Sequence, residues 1–380
     1  MEYVKLKDVF SIKKGKKVEQ VEKSENTIRY IQIDDLRNND NIKYCEKNER
    51  YVYAQERDII IAWDGANAGT IGYGLNGAIG STLALLTKND DRFCTEYCGL
   101  FLKSKFKYLR DKCTGATIPH ISKSSLEELE IPLISKEEQL KIINIINLSK
   151  NLLDKKKDQI NLLDELVKSR FIEMFGNPLI DEKNFGIKKL SEVTIINPKK
   201  MEVKELDQTL NVSFVPMDKV GEKGQFNSEL VKTIKDVYSG FTYFKEKDVL
   251  FAKITPCMEN GKGAIAKDLK NGIGFGSTEF HVIRPIKEKT NSYWIYHLTT
   301  LIEFRRLAER KMTGSAGQKR VPSDFFINIQ VVVPPIELQN QFADFVTQVD
   351  KLKFEMEKSL KELEDNFNSL MQKAFKGELF

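Results

Sequence analysis

Hydrophobic and polar positions follow two rhythms along this chain. From Lys136 to Phe175 there is no glycine or proline; both return at Gly176-Asn177-Pro178. Within that stretch Ile142, Ile146, Ser149, Leu153, Lys156, Ile160, Leu163, Val167, Arg170 and Met174 follow alternating steps of four and three, a heptad seam with polar breaks. Ser135, ahead of Glu137, Glu138 and Gln139, is a helix start signal. From Ile336 to Phe375 the pattern returns. Phe342, Phe345, Val349, Leu352, Met356, Ser359, Leu363, Asn366, Leu370 and Ala374 make the seam, with Leu360 and Phe367 beside it. Each seam predicts a helix of about 40 residues, roughly 60 Å long. A helix of that length cannot bury its stripe against a small module, and the two most simply bury against each other. Pairing with another chain is the competing use of such a seam.

The rest of the chain has a shorter rhythm. Arg29–Ile33, Asp58–Trp63 and Ser81–Thr87 are β-rich runs, separated by the turn signals Asp64-Gly65-Ala66-Asn67-Ala68-Gly69 and Gly72-Tyr73-Gly74-Leu75-Asn76-Gly77. Thr95–Arg110 has helical spacing. The same plan returns as the strands Ser213–Pro216, Asp248–Ile254 and Glu279–Ile283 and the helix Ser292–Arg310. Gly272–Gly276 reads as a hairpin turn, without the strand–glycine–helix setting of a nucleotide loop.

The likeness extends to short words. Val4-Lys5-Leu6-Lys7-Asp8-Val9 returns as Ile187-Lys188-Lys189-Leu190-Ser191-Glu192-Val193, and Glu56-Arg57-Asp58-Ile59-Ile60 as Glu246-Lys247-Asp248-Val249-Leu250. Gly80-Ser81-Thr82 matches Gly276-Ser277-Thr278, Thr114-Gly115-Ala116 matches Thr313-Gly314-Ser315, and Ile131-Pro132 matches Val333-Pro334. Order is kept while the offset grows from about 184 to about 202 residues, as loop insertions would make it. The chain thus reads as α+β: two mixed, mostly β modules (1–134 and 179–335) alternating with two long helical regions (135–178 and 336–380). The pseudo-twofold relation favours an antiparallel coiled coil.

Composition adds bounds. The 60 Lys+Arg against 55 Asp+Glu give +5, a balance that permits nucleic-acid binding without arguing for it. Five cysteines and three histidines show no zinc-site spacing, so reduced thiols are expected. Neither a leader nor a membrane-spanning run is visible, which makes a cytoplasmic protein the default.

No catalytic constellation stands out. Asn260-Gly261-Lys262-Gly263 is not a phosphate loop, and Val333-Pro334-Pro335-Ile336 lacks the amide and aromatic of an amino-methyltransferase motif. What recurs is loop chemistry suited to DNA. Lys13, Lys14, Lys16 and Lys17 surround Gly15, and Lys199 and Lys200 stand in the matching place; such clusters suit phosphates, and equally a solvated turn. Thr114, Thr117 and His120 in one loop, and Thr313, Ser315, Gln318, Lys319 and Arg320 in its counterpart, can reach base edges or phosphates. Lys253, Thr255, Asn260 and Lys262 offer similar groups, as does Asn67 in the matching turn beside Trp63, itself read as a core aromatic. A coiled-coil scaffold without DNA specificity is the alternative use of such a chain.

With these residues in view, the chain resembles the specificity subunit of type I restriction-modification systems over essentially its whole length. Carrying the resemblance are Glu246-Lys247-Asp248-Val249-Leu250, Gly276-Ser277-Thr278-Glu279-Phe280, and Pro334-Pro335-Ile336-Glu337-Leu338-Gln339-Asn340-Gln341. Ser169-Arg170-Phe171-Ile172-Glu173-Met174-Phe175-Gly176-Asn177-Pro178 and Gln372-Lys373-Ala374-Phe375-Lys376-Gly377-Glu378-Leu379 complete it. The resemblance implies two target-recognition domains, each reading half of a split DNA sequence, and two helices acting as a ruler between the half-sites. It implies docking of two methyltransferase subunits, which carry S-adenosylmethionine and methylate adenine, and of restriction and motor subunits. It implies no catalysis and no cofactor on this chain itself. The first module departs from the pattern: Gly80-Ser81-Thr82-Leu83 lacks the Glu-Phe, and Ile131-Pro132-Leu133-Ile134 replaces Val333-Pro334-Pro335-Ile336.

Overall fold

The two ends of the first repeat close on one another before either long helix begins: Glu2–Lys5 pairs antiparallel with Glu130–Leu133, Val4 opposite Ile131. The computed structural model describes residues 2–115, 117–315 and 317–379. The chain divides into two compact units, Met1–Lys157 with Lys358–Phe380, and Asp158–Glu357.

In the first unit two four-stranded sheets follow that ladder. One has the order Phe10–Lys14, Leu83–Lys88, Ile59–Ala62, Ile71–Tyr73. The other has the order Lys43–Glu46, Thr27–Ile31, Gly77–Ile79, Tyr53–Ala54, with its inner pair parallel. The apolar run Ile59-Ile60-Ile61-Ala62 is buried throughout, because it is an inner strand covered on both faces. Ile59 and Ile61 face one core, Ile60 and Ala62 another, as a period of two requires.

The second unit has the same plan. Ile187–Lys189 pairs with Gln330–Val332. One sheet runs Thr194–Ile196, Phe280–Pro285, Val249–Ala252, Gly263–Ile265; the other runs Val231–Thr233, Asn211–Val215, Ile273–Gly276, Thr242–Lys245, again with a parallel inner pair. The duplication is therefore one of topology as well as of words.

Strand register corrects three details. Ala62 lies opposite Leu83 as Ala252 lies opposite Phe280, so Gly80 matches Ser277 and the sequence alignment there slips by one residue. Leu6 and Leu190 play the same part at the ladder, their N–H groups donating to the carbonyls of Leu129 and Ile329, so Ile131 matches Val331 and not Val333. The glycine-rich stretch at 272–276 departs from expectation as well: Ile273–Gly276 is an inner strand, not a hairpin turn. A Cβ on Gly274 would lie 2.1 Å from the Phe244 ring, and one on Gly276 would lie 2.3 Å from the Val215 carbonyl oxygen. Those glycines serve close packing.

The short helices are also interrupted. Thr95–Ser104 and Phe106–Asp111 are separate, as are Ser292–Thr300 and Ile302–Arg310, where Leu301 has extended backbone. The long helices span Lys136–Phe175 and Ile336–Ala374. The first starts in a capping box: Glu138 N donates to Ser135 Oγ at 3.2 Å, and Ser135 N donates to Glu138 Oε2 at 2.9 Å. Neither helix, nor any other among the described residues, is long and apolar enough to cross a membrane.

The helices pack antiparallel within each unit. In the first, Ile142, Ile143 and Ile146 share a core with Met371, Ala374 and Phe375, and Lys157 pairs with Glu364 at 2.8 Å. In the second, Phe171 and Phe175 set their rings edge-on to Phe342, and Lys353 Nζ reaches Asp164 Oδ1 at 2.5 Å. All ten expected seam positions of the first helix are buried or half-buried. On the second, Leu352 is 51% exposed and Asn366 is exposed, while Lys353 and Phe367 turn inward. A straight helix drifts against a strict seven-residue repeat, and the Lys353–Asp164 pair takes the seam position instead. The five cysteines are free thiols.

Candidate nucleic-acid interface

Two loops meet in each unit, and they are the loops that carry most of the candidate residues. In the first unit the strand Ile59–Ala62 runs on through Trp63 into the 64–67 turn. Residues 114 and 120 pair across the base of the other loop: Thr114 N donates to the His120 carbonyl at 2.9 Å, and His120 N donates to the Thr114 carbonyl at 2.7 Å. That base is tied to the turn, Gly65 N reaching Pro119 O and Ile121 N reaching Trp63 O, each at 2.9 Å. The second unit repeats the arrangement. Thr313 N donates to Arg320 O at 3.0 Å and Arg320 N to Thr313 O at 2.8 Å, while Thr255 N reaches Lys319 O at 3.0 Å and Val321 N reaches Lys253 O at 2.9 Å. Ala116 and Ala316, in the two loops, lie outside the described residues.

These bonds set the 64–67 turn, which carries Asn67, against the loop that carries Thr114, Thr117 and His120, and set Lys253 and Thr255 against the loop that carries Thr313, Ser315, Gln318, Lys319 and Arg320. Thr117 and Ser315 are exposed on their loops. Asn260 and Lys262 lie farther along the 253–262 turn, which contains a cis Thr255-Pro256 bond. Lys14 reaches the same cluster in the first unit, its Nζ 2.8 Å from Asp64 Oδ2. Lys13 lies on the exposed side of the edge strand Phe10–Lys14, and Lys16 and Lys17 follow it, also exposed. In the second unit Lys199, Lys200 and Lys253 line a groove of about 490 Å³ with Asn197, Tyr238 and Thr278. Lys200 is the restrained one, donating to Tyr238 O at 2.5 Å with its ammonium 5.0 Å from the Tyr238 ring centre.

Each loop base carries a nitrogen group held by a carboxylate. His120 Nδ1 lies 2.6 Å from Asp64 Oδ1. Burial pushes the Asp64 carboxyl up, but Lys14 and His120 outweigh it and hold it below the usual range. Arg320 donates from Nε to Glu279 Oε2 at 2.9 Å and from Nη2 to Oε1 at 2.8 Å. The Arg320 hydrogen bond holds the Glu279 carboxyl low, and Glu279 raises Arg320 in turn. Burial lowers the Lys253 ammonium beside them.

Sequence reasoning misses the supports of these loops. Arg37 Nη2 donates to Asn67 Oδ1 at 2.7 Å. Arg305, buried, donates to Met258 O at 2.5 Å and Gly261 O at 3.0 Å, and Arg110 donates to Ala66 O. These arginines fasten the turns. Their only signal is an arginine in or beside a short helix, which by itself reads as solvated. Trp63 is half-buried against the first core, as a core aromatic. Among the described residues no group of His, Cys, Asp and Glu is placed to hold a metal ion.

Comparison with known proteins adds to this geometry. The family model described as "Type I restriction modification DNA specificity domain" matches residues 1–162 and 182–365. The type I restriction enzyme EcoAI specificity subunit of Escherichia coli is 41% identical over 164 residues, 43% of this chain and 27% of that one. The EcoEI specificity subunit of Escherichia coli is 40% identical over 183 residues, 45% of this chain and 30% of that one. The match therefore spans under a third of the length of these two relatives. The MjaVIII specificity subunit of Methanocaldococcus jannaschii is 24% identical over 401 residues, 100% of this chain and 92% of that one. A solved structure described as "Structural basis underlying complex assembly and conformational transition of the type I R-M system" has a TM-score of 0.65 at 16% identity, over 100% of this chain and 98% of that one; that likeness concerns the fold.

Proposed function

Since this chain belongs to the type I restriction modification DNA specificity family, with two copies of the family's domain, we propose that it addresses a restriction-modification complex to double-stranded DNA. Each unit reads one half of a two-part target through its paired loops. The lysines at 13, 14, 16, 17, 199, 200, 253 and 262 contact phosphates; the loop residues reach base edges. The long helices set the gap and dock two methyltransferase subunits. Those subunits carry S-adenosylmethionine and methylate adenine, and restriction and motor subunits join them. The chain itself binds no cofactor, performs no chemistry and works in the cytoplasm.

The observation that carries this reading is the repeated loop pair. The same backbone hydrogen bonds build the same platform in both units, but different side chains stand on it: Trp63, Asp64 and His120 against Lys253, Ile254 and Arg320. A shared frame with diverged contents is what reading two different half-sites requires, since phosphate contacts position and base contacts specify.

The test is to express the chain with its methyltransferase and map methylated adenine across a genome. A two-part sequence with a fixed gap is expected. Methylation scattered without such a sequence, or methylation by the purified chain alone given DNA and S-adenosylmethionine, contradicts the reading.

A further inference from the structure

His120 and Arg320 occupy one and the same place in the two repeats. Each ends its loop, each pairs backbone with the threonine that begins it, and each bridges to the residue after Trp63 or Lys253. Their carboxylate partners do not share a place. Asp64 corresponds to Ile254, and Glu279 corresponds to Thr82, by the register of the inner strands. The two units therefore hold an outward nitrogen group at the same point by carboxylates from different strands. The loop base needs no such staple. Its backbone is already closed by paired hydrogen bonds, and partly exposed ion pairs add little net stability.

A guanidinium has five N–H groups. In Arg320, Glu279 takes the Nε donor and one on Nη2, and the Gln318 carbonyl takes one on Nη1 at 3.1 Å. One N–H on each terminal nitrogen remains, with no further acceptor among the described residues. Guanine offers two acceptors side by side in the major groove, O6 and N7. In His120, Asp64 occupies Nδ1 and leaves Nε2 as a single contact point.

We propose that Arg320 and His120 are the specificity-determining residues of their units, each aimed by its carboxylate, with Arg320 selecting guanine in the half-site read by the second unit. This rests on the DNA-addressing reading above. Glu279 is a positioning residue, acting through Arg320.

The test uses the full chain expressed with its methyltransferase, with methylated adenine mapped for the wild type and for Arg320→Gln, Arg320→Lys, Glu279→Gln and His120→Ala. In the wild type one half-site contains a guanine that Arg320→Gln relaxes or converts to adenine, with discrimination falling roughly 10- to 100-fold at that position. Arg320→Lys and Glu279→Gln relax the same position and no other. His120→Ala alters only the other half-site. An unchanged target sequence in all four variants overturns the proposal, whether methylation persists or falls uniformly, because a staple lowers occupancy without changing sequence. Failure of the underlying reading looks different: the wild type itself then shows no two-part target.

Discussion

Asn291 gives its backbone N–H to the buried Gln339 side chain, N to Oε1, at 3.0 Å. The same glutamine donates from Nε2 to Lys289 O at 3.1 Å and to Pro334 O at 2.8 Å. Gln139 does the same work in the first unit: it accepts from Cys94 N at 2.7 Å and donates to Arg92 O at 2.9 Å and Ile134 O at 3.0 Å. One amide in the first turn of each long helix thus joins three backbone groups, from the segment entering a short helix and from the helix's own lead-in. Replacing Gln339 with leucine leaves those groups buried and unpaired, and about 2–4 kcal/mol of stability is expected to go. Gln139→Leu should cost a similar amount in the first unit. Denaturant unfolding checks it; a change under about 0.5 kcal/mol in both variants defeats the account.

The repeats differ in their cores. Asp248 is 1% exposed and accepts from Arg284 Nε and Nη2, each at 2.8 Å. Burial lowers the Arg284 guanidinium, but Asp248 outweighs that effect and holds it above its ordinary range. The equivalent strand position in the first unit is Thr87, and there the Oδ1 of buried Asp58 has no hydrogen-bond partner among the described residues. Arg284→Leu should therefore cost about 3–5 kcal/mol by stranding a buried carboxylate. Thr87→Leu, at the matching position, should change stability by less than about 1 kcal/mol, since no ion pair is broken there. Equal losses in the two variants, measured by chemical unfolding, would show that the pair is not what distinguishes the sites.

Acid should weaken the second unit first. His281 is buried, with Nε2 2.7 Å from Val321 O, and burial holds its pKa at about 4 despite that bond. His297 lies among the rings of Phe171, Tyr296 and Phe342, and burial again holds it at about 4. An unfolded histidine titrates near 6.5. Between those values the unfolded chain takes up protons that the folded unit refuses. Stability present above about pH 6.5 is thus lost as pH falls toward 4, on the order of 2–3 kcal/mol per histidine. Trp294 sits in the second unit's core and Trp63 in the first, so single-tryptophan variants report each unit separately. With Trp63→Phe as background, His281→Gln together with His297→Leu should flatten the pH dependence of the Trp294 signal. A slope unchanged by that double substitution would refute the assignment.

How far these features can be read from residues alone depends on what holds them. The long helices are legible because a 3.5-residue rhythm repeats over many turns, and Ser135 with Glu138 marks a start locally. The strands at 59–62 and 249–252 are legible as apolar runs after a turn-forming Asp. The glycines at 274 and 276 read as a turn because their true reason is distant in sequence: a neighbouring ring and a neighbouring strand. Leu352 fits the heptad on paper, but a salt bridge, Lys353 with Asp164, claims its seam position. The loop clusters are visible as residue types, while their carboxylate clamps are not. Asp64 and Glu279 act on partners 56 and 41 residues away, a separation that no local spacing encodes.

The helices also make a geometric prediction. At 1.5 Å of rise per residue, removing seven residues shortens a helix by about 10 Å, close to three base pairs of DNA. Because the helices run antiparallel, the deletion must be matched: 154–160 in the first helix goes with 357–363 in the second, as the register of the Lys353–Asp164 pair indicates. A variant lacking both segments should keep the two half-site sequences and shorten the gap between them by about three base pairs, read by mapping methylated adenine. Removing either segment alone mismatches the seam and should abolish methylation or sharply reduce it. If the double deletion leaves the gap unchanged, or alters either half-site, the helices do not measure the distance between the two halves of the target.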